Sequence, residues 1–137
     1  MMKHLPVTMG PRHKGWLYGL TAFLWLSGTL WLLLPEAHPA QSFYMRIHGA
    51  AAMGFLMAFG ALLVEHVPRG WQEGRQRPLG GLVVFACGLL VFTGWLLYYS
   101  AGEHLRHWTH WVHVAFGLCL PGIIFVHVWR ARAQGGK

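Results

Sequence analysis

Four stretches of this 137-residue chain run for about twenty residues each without a Lys, Arg, Asp or Glu: Gly15–Leu34, Ile47–Val64, Leu79–Ser100 and Trp108–Trp129. That length of apolar helix crosses the hydrocarbon core of a bilayer, where only helices and closed barrels can satisfy their own backbone groups. So little chain remains outside these stretches that a separate soluble domain is excluded. Hydrophobic residues make up 55% of the chain and charged residues only 11%. The expected architecture is an all-α membrane protein, residues 1–137 forming one four-transmembrane-helix bundle with membrane lipid as its main surrounding. The first stretch is too long for the apolar part of a secretory signal, and Pro35-Glu-Ala-His-Pro-Ala40 offers no good cleavage site.

A net charge of +7 can point to nucleic acid, but here its distribution says otherwise. Lys3, Arg12 and Lys14 precede the first stretch, Arg69, Arg75 and Arg77 separate the second from the third, and Arg130, Arg132 and Lys137 follow the fourth. The other two loops hold only Arg46 and Arg106. Nine against two is the positive-inside bias of a four-span chain with both termini in the cytoplasm. The basic residues are topology signals, no nucleic-acid partner is implied, and the expected location is the bacterial inner membrane. Trp and Tyr gather near the span ends, as interfacial anchors do. Pro68, with Gly70 and Gly74, is expected to end the second helix, and Pro78 to begin the third. Pro121 is expected to kink the fourth. No internal repeat is evident. Cys87 and Cys119 are isolated and lie within spans, without a C-x-x-C-H motif, so they read as structural.

The chemistry lies in the histidines. An ionisable side chain at membrane depth is costly and marks function. His48 and His66 bracket the second stretch, 18 steps apart, which is about five whole turns at roughly 100° per residue and brings both rings onto one face. His113 and His127 are 14 steps apart in the fourth, within roughly 40° of a common face. Opposed helices then give an outer pair, His48 with His113, and an inner pair, His66 with His127. The helical rise separates the two levels by roughly 21 Å along the fourth helix and 27 Å along the second. Neutral imidazoles facing one another inside a bundle suit the axial positions of haem iron, and two per iron leave no open position, which favours electron transfer over oxygen chemistry. His110 competes with His113 but lies about 100° off the face of His127. His13, just before the first helix, competes with His66. Glycines on the second, third and fourth helices (Gly49, Gly54, Gly60, Gly88, Gly94, Gly117 and Gly122) permit either a flat cofactor or close helix packing.

His104, His107, His110 and His113 recur at every third residue, a spacing that drifts around a helix. A copper or zinc site there lacks a Cys or Asp to complete its ligands. Proton handling by Glu103 and His104 is a milder option. The rival from another class is a haem-free membrane protein, a metal carrier using this outer series or an assembly scaffold.

Three segments carry a resemblance: Arg46-Ile-His48-Gly49 opening the second helix, Gly94-Trp-Leu-Leu-Tyr-Tyr99 ending the third, and His113-x13-His127 with Gly117-Leu118 between. In these, and over nearly its whole length, the chain resembles the four-helix di-haem cytochrome b superfamily, which includes the membrane subunits of formate dehydrogenases and nickel–iron hydrogenases and many small bacterial cytochromes. The resemblance implies that His113 and His127 each serve one haem and that His48 ligates the outer one. Families in the group take the fourth ligand either from helix one, which points to His13, or from the far end of helix two, which points to His66. His66 is preferred because it shares a face with His48. The cofactors expected are two haem b, with a quinone as a further ligand. The expected partners are the quinone pool and a periplasmic or membrane redox subunit. The role is that of an electron-transfer subunit, with the cofactors supplying the redox step. Arg46 and Arg106 outside, and Arg69 and Arg130 inside, are the candidate haem-propionate partners.

Overall fold

The computed structural model describes residues 10–74, 76–100 and 102–135, with only the backbone of Pro11 and Gly135 described. Lys3, Arg75 and Lys137 of the charge pattern lie outside the described residues. Four helices follow one another, α1 (Pro11–Leu33), α2 (Ala40–Glu73), α3 (Arg77–Tyr99) and α4 (Glu103–Gly135), and no strand occurs among the described residues. All four are long and apolar enough to cross a membrane.

Local chemistry sets the helix ends. Pro11 opens α1 at a position where its missing N–H is no loss. Leu34 turns extended, with φ −73° and ψ 140°, ahead of Pro35, which disfavours helix in the residue before it. Across the first loop Ala37 takes a left-handed φ of 64°, and the His38 ring accepts the Ala40 N–H at 3.1 Å, capping the start of α2. Gly74 closes α2 in the left-handed region, φ 70°, where a side chain would be strained. The Nε of Arg77 donates to the Trp71 carbonyl at 2.9 Å while its guanidinium lies over the Trp71 ring. Glu103 in the first turn of α4 and Arg132 in its last both oppose the charge of the helix dipole.

The expectation that Pro68 ends the second helix is corrected. α2 continues through Pro68 to Glu73, which shrinks the basic loop expected over Arg69–Arg77 to residues 74–76. Proline removes one i to i−4 hydrogen bond, here to the Val64 carbonyl. Val64 is 77% exposed and Pro68 lies on the outer surface, so the freed carbonyl is not trapped in a packed interior. At 34 and 33 residues, α2 and α4 are each about 50 Å long, well beyond a hydrocarbon core; α1 and α3, at 23 residues, are about 35 Å. Long and short helices alternate.

Each long helix packs chiefly on the short helix before it, α2 on α1 and α4 on α3. The α1–α4 and α2–α3 contacts close the ring. The two long helices therefore stand across the diagonal, and no described Cα of α2 comes within 8 Å of one of α4. The core is a thin plug at mid-height: Phe55 and Phe59 stacked 6.0 Å apart on α2, Ala86 and Cys87 on α3, and Leu120 on α4. Much larger apolar side chains face outward, among them Met57 (73% exposed) and Phe125 (69%). An apolar exterior around a small core is the arrangement a lipid surrounding favours.

Candidate functional site

The plug divides the diagonal space into two levels. Phe55 and Phe59 stand between His48 and His66 on α2, and Leu120 stands midway between His113 and His127 on α4. At the upper level the His48 and His113 rings face each other across the diagonal, with centroids 6.3 Å apart and planes at 74°. His110, the alternate, turns away and packs its ring on Trp31 of α1 at 5.7 Å and on its neighbour Trp111. Of the two, His113 is the one that meets His48.

The hydrogen bonds at this level fix more than position. On α3, the Thr93 hydroxyl lies 2.7 Å from the Leu89 carbonyl and 2.8 Å from the Nδ1 of His113. On α1, the Ser27 hydroxyl lies 3.2 Å from the Leu24 carbonyl and 3.0 Å from the Nδ1 of His48. A hydroxyl has one proton. Donated to the carbonyl one turn back, it leaves only lone pairs for the ring, so each imidazole donates its Nδ1–H and keeps its free lone pair on Nε2. Metal-bound histidines are commonly held in this way, with the nitrogen that does not bind metal tied to a fixed acceptor.

A glycine follows each hydroxyl. A β-carbon at Gly28 would stand 3.1 Å from the Cε1 of His48, and one at Gly94 would stand 3.5 Å from the Cε1 of His113. The pairs Ser27-Gly28 and Thr93-Gly94 thus do the same two things on the two short helices: they accept from the ring and let it lie against the helix backbone. Beside His48, Gly49 leaves room for the Tyr98 hydroxyl of α3.

At the lower level His66 and His127 are close enough for their charges to interact, and Lys14 and Glu73 lie within the same reach of His66. The Cε1 of His127 faces Gly80 of α3, where a β-carbon would stand 3.7 Å away. Nδ1 of both His66 and His127 is buried without a hydrogen-bond partner. His13 is exposed; with Glu65, His66 and Arg69 it lines a groove of about 410 Å³ along α1 and α2. It is therefore near His66 but at the groove and on the surface, while His66 also reaches the interior.

Of the four arginines, Arg46 bonds back to Ser42 through its carbonyl and hydroxyl, Arg69 edges the groove, and Arg106 and Arg130 are exposed. His104 and His107 pack against Trp108, and His107 also against Trp111. Among the described residues no three His, Cys, Asp or Glu side chains gather to hold an ion. Cys87 is buried and Cys119 exposed, both as free thiols.

For an axial pair on a planar metal cofactor, the upper level fits. The ring separation accommodates one metal ion with two bonds of about 2 Å, the usual metal–imidazole length. The free nitrogens are the Nε2 atoms, and the diagonal leaves width between the long helices. Sequence reasoning missed Ser27, Thr93, Gly28 and Gly80. A signal was present: a hydroxyl-glycine pair stands 21 residues before His48 and 20 before His113. Comparison with known proteins returns no matching family model, no matching curated protein and no matching solved structure.

Proposed function

We propose that this chain is a di-haem b-type cytochrome of the cytoplasmic membrane. It carries electrons between the quinone pool and a redox partner on the outer side. The observation that carries the reading is the opposition of His48 and His113 across the diagonal of the bundle, each with Nδ1 engaged and Nε2 free. His48 and His113 would hold the outer haem, and His66 and His127 the inner one. A haem with two imidazole ligands supplies one-electron chemistry at an iron that has no site for oxygen. The chain's residues hold the rings, keep water from them and set the distance between levels through the Phe55, Phe59 and Leu120 plug.

The nine-to-two division of basic residues supports cytoplasmic termini, which makes the His66–His127 level the inner one. A reporter fused after Lys137 is expected to be active only as a cytoplasmic fusion; periplasmic activity reverses the two levels. The groove beside His66 and Arg69 joins polar groups to apolar Met57 and Leu62 and suits a quinone close to the inner pair. The reading as a whole is tested by the reduced-minus-oxidised visible spectrum of the purified chain. Paired b-type bands are expected, and a featureless spectrum from protein made with ample haem removes the proposal.

A further inference from the structure

We infer that Ser27 and Thr93 are positioning residues that set the tautomer, the ring planes and the electron-donating strength of His48 and His113. The inference deepens the reading of the outer site and rests on it only for its redox consequence. Both hydroxyls use their single proton on a carbonyl of their own helix, Leu24 for Ser27 and Leu89 for Thr93. What remains toward the ring is an acceptor at 3.0 and 2.8 Å. The choice between Nδ1–H and Nε2–H, nearly even for a free imidazole, is thereby decided for both rings before any ligand arrives. The hydroxyl side chains are themselves almost wholly enclosed, at 3% and 4% exposure. Water therefore cannot readily substitute for them.

The arrangement is duplicated. In each half of the chain a short helix carries the hydroxyl and then a glycine, and the long helix after it carries the histidine. The glycine removes the β-carbon that would meet Cε1; the hydroxyl takes the adjacent nitrogen. Together they hold each ring by one edge and present the other across the diagonal. The outer site is thus built from two copies of one device, and the 74° between the rings follows from where the two copies stand. No such acceptor meets Nδ1 of His66 or His127.

An N–H donated to a fixed acceptor makes the opposite nitrogen a stronger donor to a metal, which favours the oxidised ion. Loss of the acceptor is expected to raise the midpoint potential of the outer haem and to leave the inner haem unmoved. The shift is a few-fold change in the reduced-to-oxidised ratio at fixed potential, since one neutral hydrogen bond is a modest interaction. The test is a redox titration of the full-length protein as wild type, Thr93→Val, Ser27→Ala and Thr93→Ser. One of two waves rising in Thr93→Val and Ser27→Ala, with Thr93→Ser close to wild type, supports the inference. Two unmoved waves, or both moving together, overturn it. A second readout needs no cofactor: imidazole nitrogen shifts in protein prepared without haem. They are expected to report the Nδ1–H form at His48 and His113, with loss of that preference in Ser27→Ala and Thr93→Val; the Nε2–H form in the parent protein overturns the inference. Protein that binds no haem yet shows Nδ1–H at both rings defeats the proposed function and leaves the positioning role standing.

Discussion

The upper and lower histidine levels occupy the same two long helices, yet they are held differently. His48 and His113 each have a hydroxyl on Nδ1 and a glycine beneath Cε1. His66 and His127 have buried Nδ1 atoms without partners, and a glycine faces only His127. A buried polar atom without a partner is unusual and calls for a partner from outside the chain's own hydrogen-bond network. The upper level is thus oriented in advance by α1 and α3, while the lower level depends on what enters it and lies beside a groove containing His13, Glu65 and Arg69. One end of the bundle is rigid and closed by side chains, and the other is open and charged. That division suits a protein whose outer site passes electrons on while its inner site exchanges them with a small molecule.

The largest expected break in the comparison is His113→Ala. It removes the ring opposite His48 and should cost one haem of two, leaving the inner spectrum intact; loss of both haems in folded protein would mean that the levels are not independent. Next comes the lower level itself. His66→Ala is expected to remove the inner haem only, and His13→Ala to keep both. The reverse pattern assigns the inner ligand to α1. The continuity of α2 through Pro68 bears on this choice, because it keeps His66 within helical backbone and at the height from which it reaches His127.

Legibility differed between the levels. The four spans, their order and the facing histidines follow from apolar run length and helical period, which depend on local sequence alone. The spans expected over 47–64 and 108–129 fell short because charged residues bounded them; Arg46, Glu65, Arg69, Arg106 and Arg130 remain helical. Charge limits the depth of a helix in lipid, not its backbone. Pro68 was taken as a terminator because proline breaks a hydrogen bond wherever it stands; that cost is small at an exposed position. Ser27 and Thr93 were passed over because a lone hydroxyl in a membrane helix commonly bonds its own backbone. These two do so and also meet a ring on the next helix, and that second contact arises only when the hairpins pack. The glycines divide in the same way. Gly94 lies under His113, whereas Gly60, Gly88 and Gly122 face open space.

A smaller effect sharpens the contrast. Gly28→Val places branched carbon where even a β-carbon stands 3.1 Å from His48, so the ring must shift. Overpacking of this kind costs about 1–3 kcal/mol. The expected result is partial outer-haem occupancy and a broadened outer band, with the inner haem unchanged. Gly60→Ala, where the space is open, is the matched control and should leave both haems as they are.

The most direct test of the central claim is a pyridine haemochrome assay on the purified, detergent-solubilised chain, with extraction into acid acetone. The account predicts two haem b per chain, both released by extraction, because four histidines form two levels and no C-x-x-C-H motif is present to attach haem covalently. One haem per chain, none, or haem that stays with the protein would contradict it.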